Sequence, residues 1–197
     1  MTNTLPAGPA FGEVRQVLAP PDGAHFRTAP VARLDLDLGG IPGDRHHGFV
    51  RPAGARERWY RKGTPIRSGR QLSLVAAEDL ELIAQRLDLP GIDPGWIGAN
   101  IMLRGIIDFT NLPWGTRMVF GEGAVLVNEG ENAPCRYAGA EIAAHCPGRP
   151  GLDLAFVKAA RNLRGIVASV ERAGSIDSGT SVKLKLRQQK IWEGFSS

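Results

Sequence analysis

Between residues 128 and 148 runs NEGENAPCRYAGAEIAAHCPG, which holds both cysteines of this 197-residue chain and one of its four histidines. A thiolate is a strong nucleophile and a soft-metal ligand, whereas an unreactive cysteine is a small buried hydrophobe, so the neighbours decide what Cys135 is for. Pro134 restrains the backbone before it and Arg136 follows it. Cys146, in HCPG, reads as a bystander unless it lies near enough to exchange a persulfide, and His145 as a surface residue. A single C-x10-C pair is neither a disulfide framework nor a zinc-ribbon spacing, so both thiols are expected free.

A second concentration of ionisable groups is GGIPGDRHHG, residues 39 to 48, where Asp44, Arg45, His46 and His47 lie between Gly43 and Gly48. Two adjacent histidines do not make a zinc site, because neighbours on a strand point to opposite faces and zinc needs three or four converging ligands. Two readings stand. One histidine faces a pocket and the other solvent, or the segment is a turn in which Asp44 accepts local backbone N–H bonds.

Charge adds a third feature. Between residues 51 and 70, RPAGARERWYRKGTPIRSGR carries seven basic side chains against Glu57, leaving 17 basic and 19 acidic groups elsewhere. The excess positive charge of the chain therefore sits in one Gly/Pro-interrupted stretch that also carries Trp59 and Tyr60. Such a stretch is either a solvated loop or a receptor for phosphate, nucleic acid or an acidic partner.

The elements that must position these groups are mostly strands. ARLDLDL (32–38) and SVKLKLR (181–187) alternate apolar and polar residues with a period of two. Shorter apolar runs follow at QLSLV (71–75), ANIML (99–103), TRMVF (116–120), AVLVN (124–128) and GIVASV (165–170), most bounded by glycine or proline. Residues 76–88 place Leu80, Ile83, Ala84 and Leu87 on one helical face, and residues 151–163 do so with Leu152, Ala155, Phe156, Ala159 and Leu163. Seven or so closely spaced strands with inserted helices point to a mainly β protein, a curled or closed β-barrel rather than a doubly wound α/β fold. With 43% hydrophobic and 22% charged residues, and no apolar run of about 18 residues, no membrane span is expected. The first residues, MTNTLPAGPAFGEV, carry no secretory pattern, which leads to a cytoplasmic expectation.

Taken in order, IPGDRHHG, RQLSL opening a strand before a helix, IGANIMLRGI, LPWGTRMVFGEGAVLVNEGENAPC and NLRGIVASVERAGSIDSGTSVKL resemble the MOSC domain, a unit first named from the C-terminal part of molybdenum cofactor sulfurases. The resemblance implies a MOSC-type β-barrel domain over residues 30–187, an N-terminal segment 1–29 packed on it and a C-terminal tail 188–197. It implies that Cys135 is both the catalytic residue and a molybdenum ligand, with the pterin dithiolene supplying the other sulfurs. It implies further that Arg70 of RQLSL, Arg164 of NLRG and Asp44, His46 and His47 of the glycine-rich turn hold the anionic cofactor, molybdopterin or its nucleotide form, with Asn100 of IGAN and Arg136 as further contacts. On the residues alone, Arg164 could equally pair with a carboxylate at a barrel rim, and Asn100 could cap a turn.

The chain departs from that family in places. Gly179 and Thr180 stand where a Gly-Asp pair is common, and there is no C-x4-C-x2-C iron–sulfur pattern, so electrons would come from a separate protein. The family's association with pyridoxal phosphate concerns a fused sulfurase, and none of the five lysines here marks a Schiff-base site. Three functions follow in order. The first is a molybdenum-cofactor oxidoreductase acting on small N-hydroxylated or related N–O substrates, served by a separate electron-transfer protein or sulfurase. The second is a sulfur carrier with a persulfide on Cys135. The third is a non-catalytic module binding nucleic acid or protein through residues 51–70, with nucleic acid ranked last among the partners. Nothing in the sequence sets an oligomeric state.

Overall fold

The structure, a computed structural model, describes residues 4–5, 8–22, 25–121, 123–187 and 189–190. In chain order the strands are β1 (Thr4–Leu5), β2 (Gly8–Ala19), β3 (Ala29–Pro30), β4 (Arg33–Leu36), β5 (Val50–Pro52), β6 (Pro65–Arg67) and β7 (Leu72–Ala76). Helix α1 (Ala77–Arg86) follows, then β8 (Ile101–Arg104), β9 (Arg117–Phe120), β10 (Val125–Glu131), helices α2 (Arg136–His145) and α3 (Leu152–Ala159), and β11 (Ile166–Arg172), β12 (Gly174–Asp177), β13 (Ser181–Leu186) and β14 (Gln189–Lys190).

Seven strands close into a barrel in the order β13-β9-β10-β11-β7-β8-β2, because β13 pairs with β2 as well as with β9. All neighbours are antiparallel except β7 and β8, which α1 connects as a parallel pair. The alternation read from the sequence has its cause here. Val182 and Leu184 of β13 and Met118 and Phe120 of β9 point into the barrel with Leu126 of β10, while Lys183 and Lys185 face water. The ARLDLDL strand forms a two-stranded ribbon with β12 whose Leu34, Leu36 and Ile176 plug into the same interior. Arg33 and Asp177 pin the ribbon's outer face through paired bonds of 2.9 Å.

The segment before residue 30 does more than pack on a barrel. β2 is a barrel strand of twelve residues, its first half closing against β13 and its second pairing with β8, with a bulge between Val14 and Gln16. Gly12 allows this crossing, since a Cβ there would lie 2.8 Å from the Arg104 carbonyl. Of the tail at 188–197, β14 pairs with β1, and residues 188 and 191–197 lie outside the described residues.

A second apolar core lies outside the barrel. β7 is buried on both faces: Leu72, Leu74 and Ala76 point inward, and Val75 packs outward with Ile83 of α1, Ile142 of α2 and Phe156 of α3. The four residues expected on the buried face of α1 are all buried. On α3, Leu152 and Phe156 are buried but Ala155 is exposed, because the helix is short and covered only along one edge. Helix α2, which the sequence reading did not anticipate, lies against α3 at Gly139, where a Cβ would lie 2.2 Å from the Asp153 carbonyl oxygen. This contact carries the start of α2, and with it Cys135, to the outer face of β7 and β11. No helix among the described residues is long and apolar enough to cross a membrane.

Candidate functional site

A cavity of about 140 Å3 opens where these elements meet. Ser73 of β7 and Val167 of β11 form its floor, and the loop from β10 to α2 contributes Asn132 and Cys135. The turn before β11 brings Arg164, the loop before β8 brings Asn100, and the glycine-rich turn brings Asp44, Arg45 and His46. Arg56 and Arg70 enter from the basic stretch, and His25, Phe26 and Thr28 from the loop after β2.

Cys135 is the N-cap residue of α2, half-buried, with extended backbone and no side-chain capping bond. Its sulfur thus lies at the positive end of a helix, a position that favours negative charge. Around it runs a network of polar side chains. Asn100 Oδ1 accepts the Ser73 backbone N–H at 2.9 Å, and Asn132 Nδ2 donates to Ser73 Oγ at 3.0 Å. Arg164 donates to the Ile97 carbonyl at 2.5 Å and to Ser73 Oγ at 3.3 Å, while Arg70 donates to Asn132 Oδ1 at 3.0 Å. Asn100 Nδ2 is buried in the wall of this cavity with no partner among the described residues, which is costly for an amide donor.

The charges do not balance inside the site. Among the described residues, Arg45, Arg56, Arg70 and Arg164 form no ion pair with a carboxylate. Arg164 is 4% exposed, and burial pushes its pKa down to about 10, with the Cys135 sulfur working in the opposite direction. Burial likewise pushes Arg70 down to about 10, helped by repulsion from Arg56 and Arg51 and opposed by Glu57 and the Cys135 sulfur. Two guanidinium groups therefore converge on the sulfur and are held against their preference for water. An anion beside them would relieve that cost.

Asp44 takes both roles expected of it. It lines the cavity, and its Oδ1 accepts the His46 backbone N–H at 2.7 Å and faces His46 Nδ1 at 3.1 Å. Burial raises its pKa, but the bonds from the His46 side chain and backbone outweigh this and hold it below the ordinary aspartate value. His46 and His47 diverge, as adjacent residues should. His46 reaches the cavity, whereas His47 turns to Asp37 at 2.9 Å and lines a neighbouring groove of about 490 Å3 with Arg45, His46, Arg51 and Arg70. Arg136 is not brought to the site. One residue into the helix, its side chain points to Asp153 of α3 at 2.8 Å, away from the sulfur. Cys146 caps the other end of α2, about 16 Å along the helix from Cys135, too far for direct exchange between the two thiols. His145, expected at the surface, is exposed, and its ring stacks on Trp96 at 4.4 Å.

Reasoning from sequence missed Ser73, Asn132, Arg56 and His25. Asn132, three residues before Cys135, and Ser73, within RQLSLV, lay inside stretches already singled out. Arg56 lay within the basic stretch without being distinguished from its neighbours there, and His25 gave no local signal. Among the described residues no group of three or more His, Cys, Asp or Glu side chains converges as a metal site. A metal here would take sulfur from Cys135 and its remaining donors from a ligand of its own, as a dithiolene provides. The cavity shares His46 and Arg70 with the basic groove and His25 and Thr28 with another groove of about 350 Å3, so it opens on both sides to larger space. A soft sulfur donor, unpaired guanidinium groups and an orphaned amide donor fit an anionic, sulfur-bearing cofactor.

The chain is similar over 170 residues to YuaD of Bacillus subtilis, whose descriptive name associates it with metal-sulfur cluster biosynthesis; the two are 42% identical, across 86% of this chain and 88% of that one. The crystal structure of the Bacillus subtilis YuaD protein superposes with a TM-score of 0.88 at 38% identity, covering 92% of this chain and all of that one. YiiM of Geobacillus stearothermophilus shares the fold alone, with a TM-score of 0.60 at 15% identity over 89% of this chain and 76% of that one. Residues 44–183 match the MOSC domain, and this chain therefore belongs to the MOSC domain family.

Proposed function

We propose that this chain binds a molybdenum–pterin cofactor at Cys135 and reduces N–O bonds in small N-hydroxylated molecules. One observation carries the reading: a cysteine sulfur, the buried guanidinium of Arg164, the half-buried guanidinium of Arg70 and a buried amide converge in one cavity, the guanidinium groups without a carboxylate and the amide without a partner among the described residues. When bound, the cofactor supplies a centre for two-electron oxygen-atom transfer. Cys135 would give it a thiolate ligand, Arg70 and Arg164 would hold its negative charge, and Asn100 Nδ2 would donate the hydrogen bond it now lacks. His46 would move a proton. With Nδ1–H held by Asp44, its Nε2 is the ring nitrogen left to exchange a proton with a leaving hydroxyl. Two electrons and two protons convert an N-hydroxyl to an amine and water, and a separate protein would bring the electrons.

A second reading rests on the name of the YuaD relative and on the place of Cys135, half-buried in the lining of an open cavity. In it Cys135 carries a persulfide that passes to a metal or cofactor, and the same arginines stabilise the sulfur anion. Molybdenum and pterin content of protein from a cofactor-producing host, read beside Cys135→Ser and with intact mass, separates the two. Near-stoichiometric metal and pterin lost on substitution supports the first. A parent without either, but one sulfur atom heavier at Cys135, overturns it in favour of the second.

A further inference from the structure

Residues 49–67 leave the barrel as an arm of their own. Among the described residues β5 and β6 pair only with each other, and the loop between them folds back through bonds from Tyr60 N–H to the Glu57 carbonyl and from Thr64 N–H to the Arg61 carbonyl. Glu57 is the keystone of this loop, accepting from the Gly54 N–H at 2.8 Å and from Arg51 at 2.5 Å. With Glu57 directed inward, the outer surface of the arm has no acid. Arg58, Arg61 and Lys62 are exposed and form no ion pair among the described residues. Between them stand Trp59, 75% exposed, and Tyr60, 46% exposed, with Phe49 and Val50 uncovered at the base. Large aromatics and arginine in open water are what protein interfaces bury at their centres.

The position of the arm gives that surface a purpose. Arg56 donates to the Ala133 carbonyl at 3.1 Å, two residues from Cys135, and lines the cavity itself. Whatever settles on the arm is therefore delivered to the mouth of the Cys135 site. Away from residues 51–70 the chain is slightly acidic in sum, whereas a nucleic-acid strand is tracked by positive charge that runs on well past one short loop. A compact acidic face with a few apolar contacts fits better, in the manner of small, weak, electrostatically steered transfer complexes.

We infer that the arm spanning residues 49–67 is the docking surface for an acidic protein that serves Cys135 as its donor. The inference rests on the reading that Cys135 is supplied by a separate protein, but its test needs neither metal nor turnover. The probes are two synthetic peptides, one rich in glutamate and one with lysine at the same positions, each ending in a cysteine activated as the 2-thiopyridyl disulfide. Attack by the Cys135 thiolate forms a new S–S bond to the peptide, breaks the peptide–thiopyridine bond and releases 2-thiopyridone. Its absorbance gives the rate, and Cys135→Ser subtracts labelling at Cys146.

At low salt the acidic peptide should label Cys135 at least ~10-fold faster than the basic one, within the range that charge steering supplies. That ratio should fall several-fold in the R58E/R61E/K62E variant, which keeps every cavity arginine, while a small neutral thiopyridyl disulfide reacts with both proteins alike. An unchanged ratio in the charge-reversed protein would overturn the inference, leaving the preference to the cavity. Oligo-dT of matched charge that suppresses acidic-peptide labelling at a tenth of the concentration the peptide itself needs would also overturn it, identifying the arm as a nucleic-acid site. Protein that passes this test yet carries no molybdenum when taken from a cofactor-producing host keeps the docking surface while the cofactor reading fails.

Discussion

Replacing Arg164 with methionine separates a ligand-binding charge from a structural brace. The guanidinium is buried and held with its pKa near 10, which corresponds to about 3 kcal/mol of cost on the charged form. Arg164→Met removes that cost along with two donated hydrogen bonds. Ser73 Oγ keeps its bond from Asn132, so the main loss is an unpaired Ile97 carbonyl, about 1–3 kcal/mol. The opposing terms nearly cancel, and urea unfolding of the ligand-free variant should fall within about 2 kcal/mol of the parent. Anion binding should not survive so well. A hydrogen bond to a charged group contributes about 1.5–3 kcal/mol, so calorimetric affinity for inorganic phosphate should drop about 10- to 100-fold. Loss of about 4 kcal/mol or more in stability with phosphate affinity intact would refute the reasoning and make Arg164 a brace.

Other outcomes follow from single contacts. Glu57 is held at a pKa of about 2 by Arg51 first and the Gly54 N–H second, so its contribution to arm order is complete above pH 4.5 and is lost as pH falls through about 2. At neutral pH, Glu57→Gln should speed proteolytic nicking between residues 49 and 67 by about 5- to 30-fold, the effect of 1–2 kcal/mol, while urea unfolding of the barrel stays unchanged. Gly165 sits at φ +90° with the Leu74 carbonyl 2.0 Å from where a Cβ would be, so Gly165→Ala should cost about 2–4 kcal/mol in urea and displace Arg164. Gly139→Ala should cost a similar amount by pushing α2 off α3, and the reactivity of Cys135 toward a neutral thiol reagent should shift with it.

The barrel was legible because a half-buried strand leaves a period of two, as Val182 and Leu184 do against Lys183 and Lys185. β2 escaped that test. Gly8, Pro9 and Gly12 break its apolar pattern, and the bulge at Arg15 puts Val14 and Val17 on one side although they are three apart. Helix α2 escaped for another reason: it packs through Ala138, Gly139 and Ile142, side chains mostly too small to mark an apolar stripe. Its absence from the sequence reading explains the misplacement of Arg136. Cys135 is the extended N-cap and Arg136 the first helical residue, so the two side chains leave the backbone in different directions, Arg136 toward Asp153. Asp44, His46, Arg70, Arg164 and Asn100 were named from ordered motifs, and the fold brings all five to one cavity with Cys135. Ser73 and Asn132, which tie those groups together, act through non-local hydrogen bonds that no local spacing displays.

The central claim, that Cys135 is a metal ligand among charge-holding arginines, is tested most directly by molybdenum X-ray absorption on protein from a cofactor-producing host, comparing the parent with Cys135→Ser. The account predicts near-stoichiometric molybdenum with three sulfur neighbours in the parent and one fewer in the variant. Parent protein that contains no molybdenum, or a sulfur count that the substitution leaves unchanged, would contradict it.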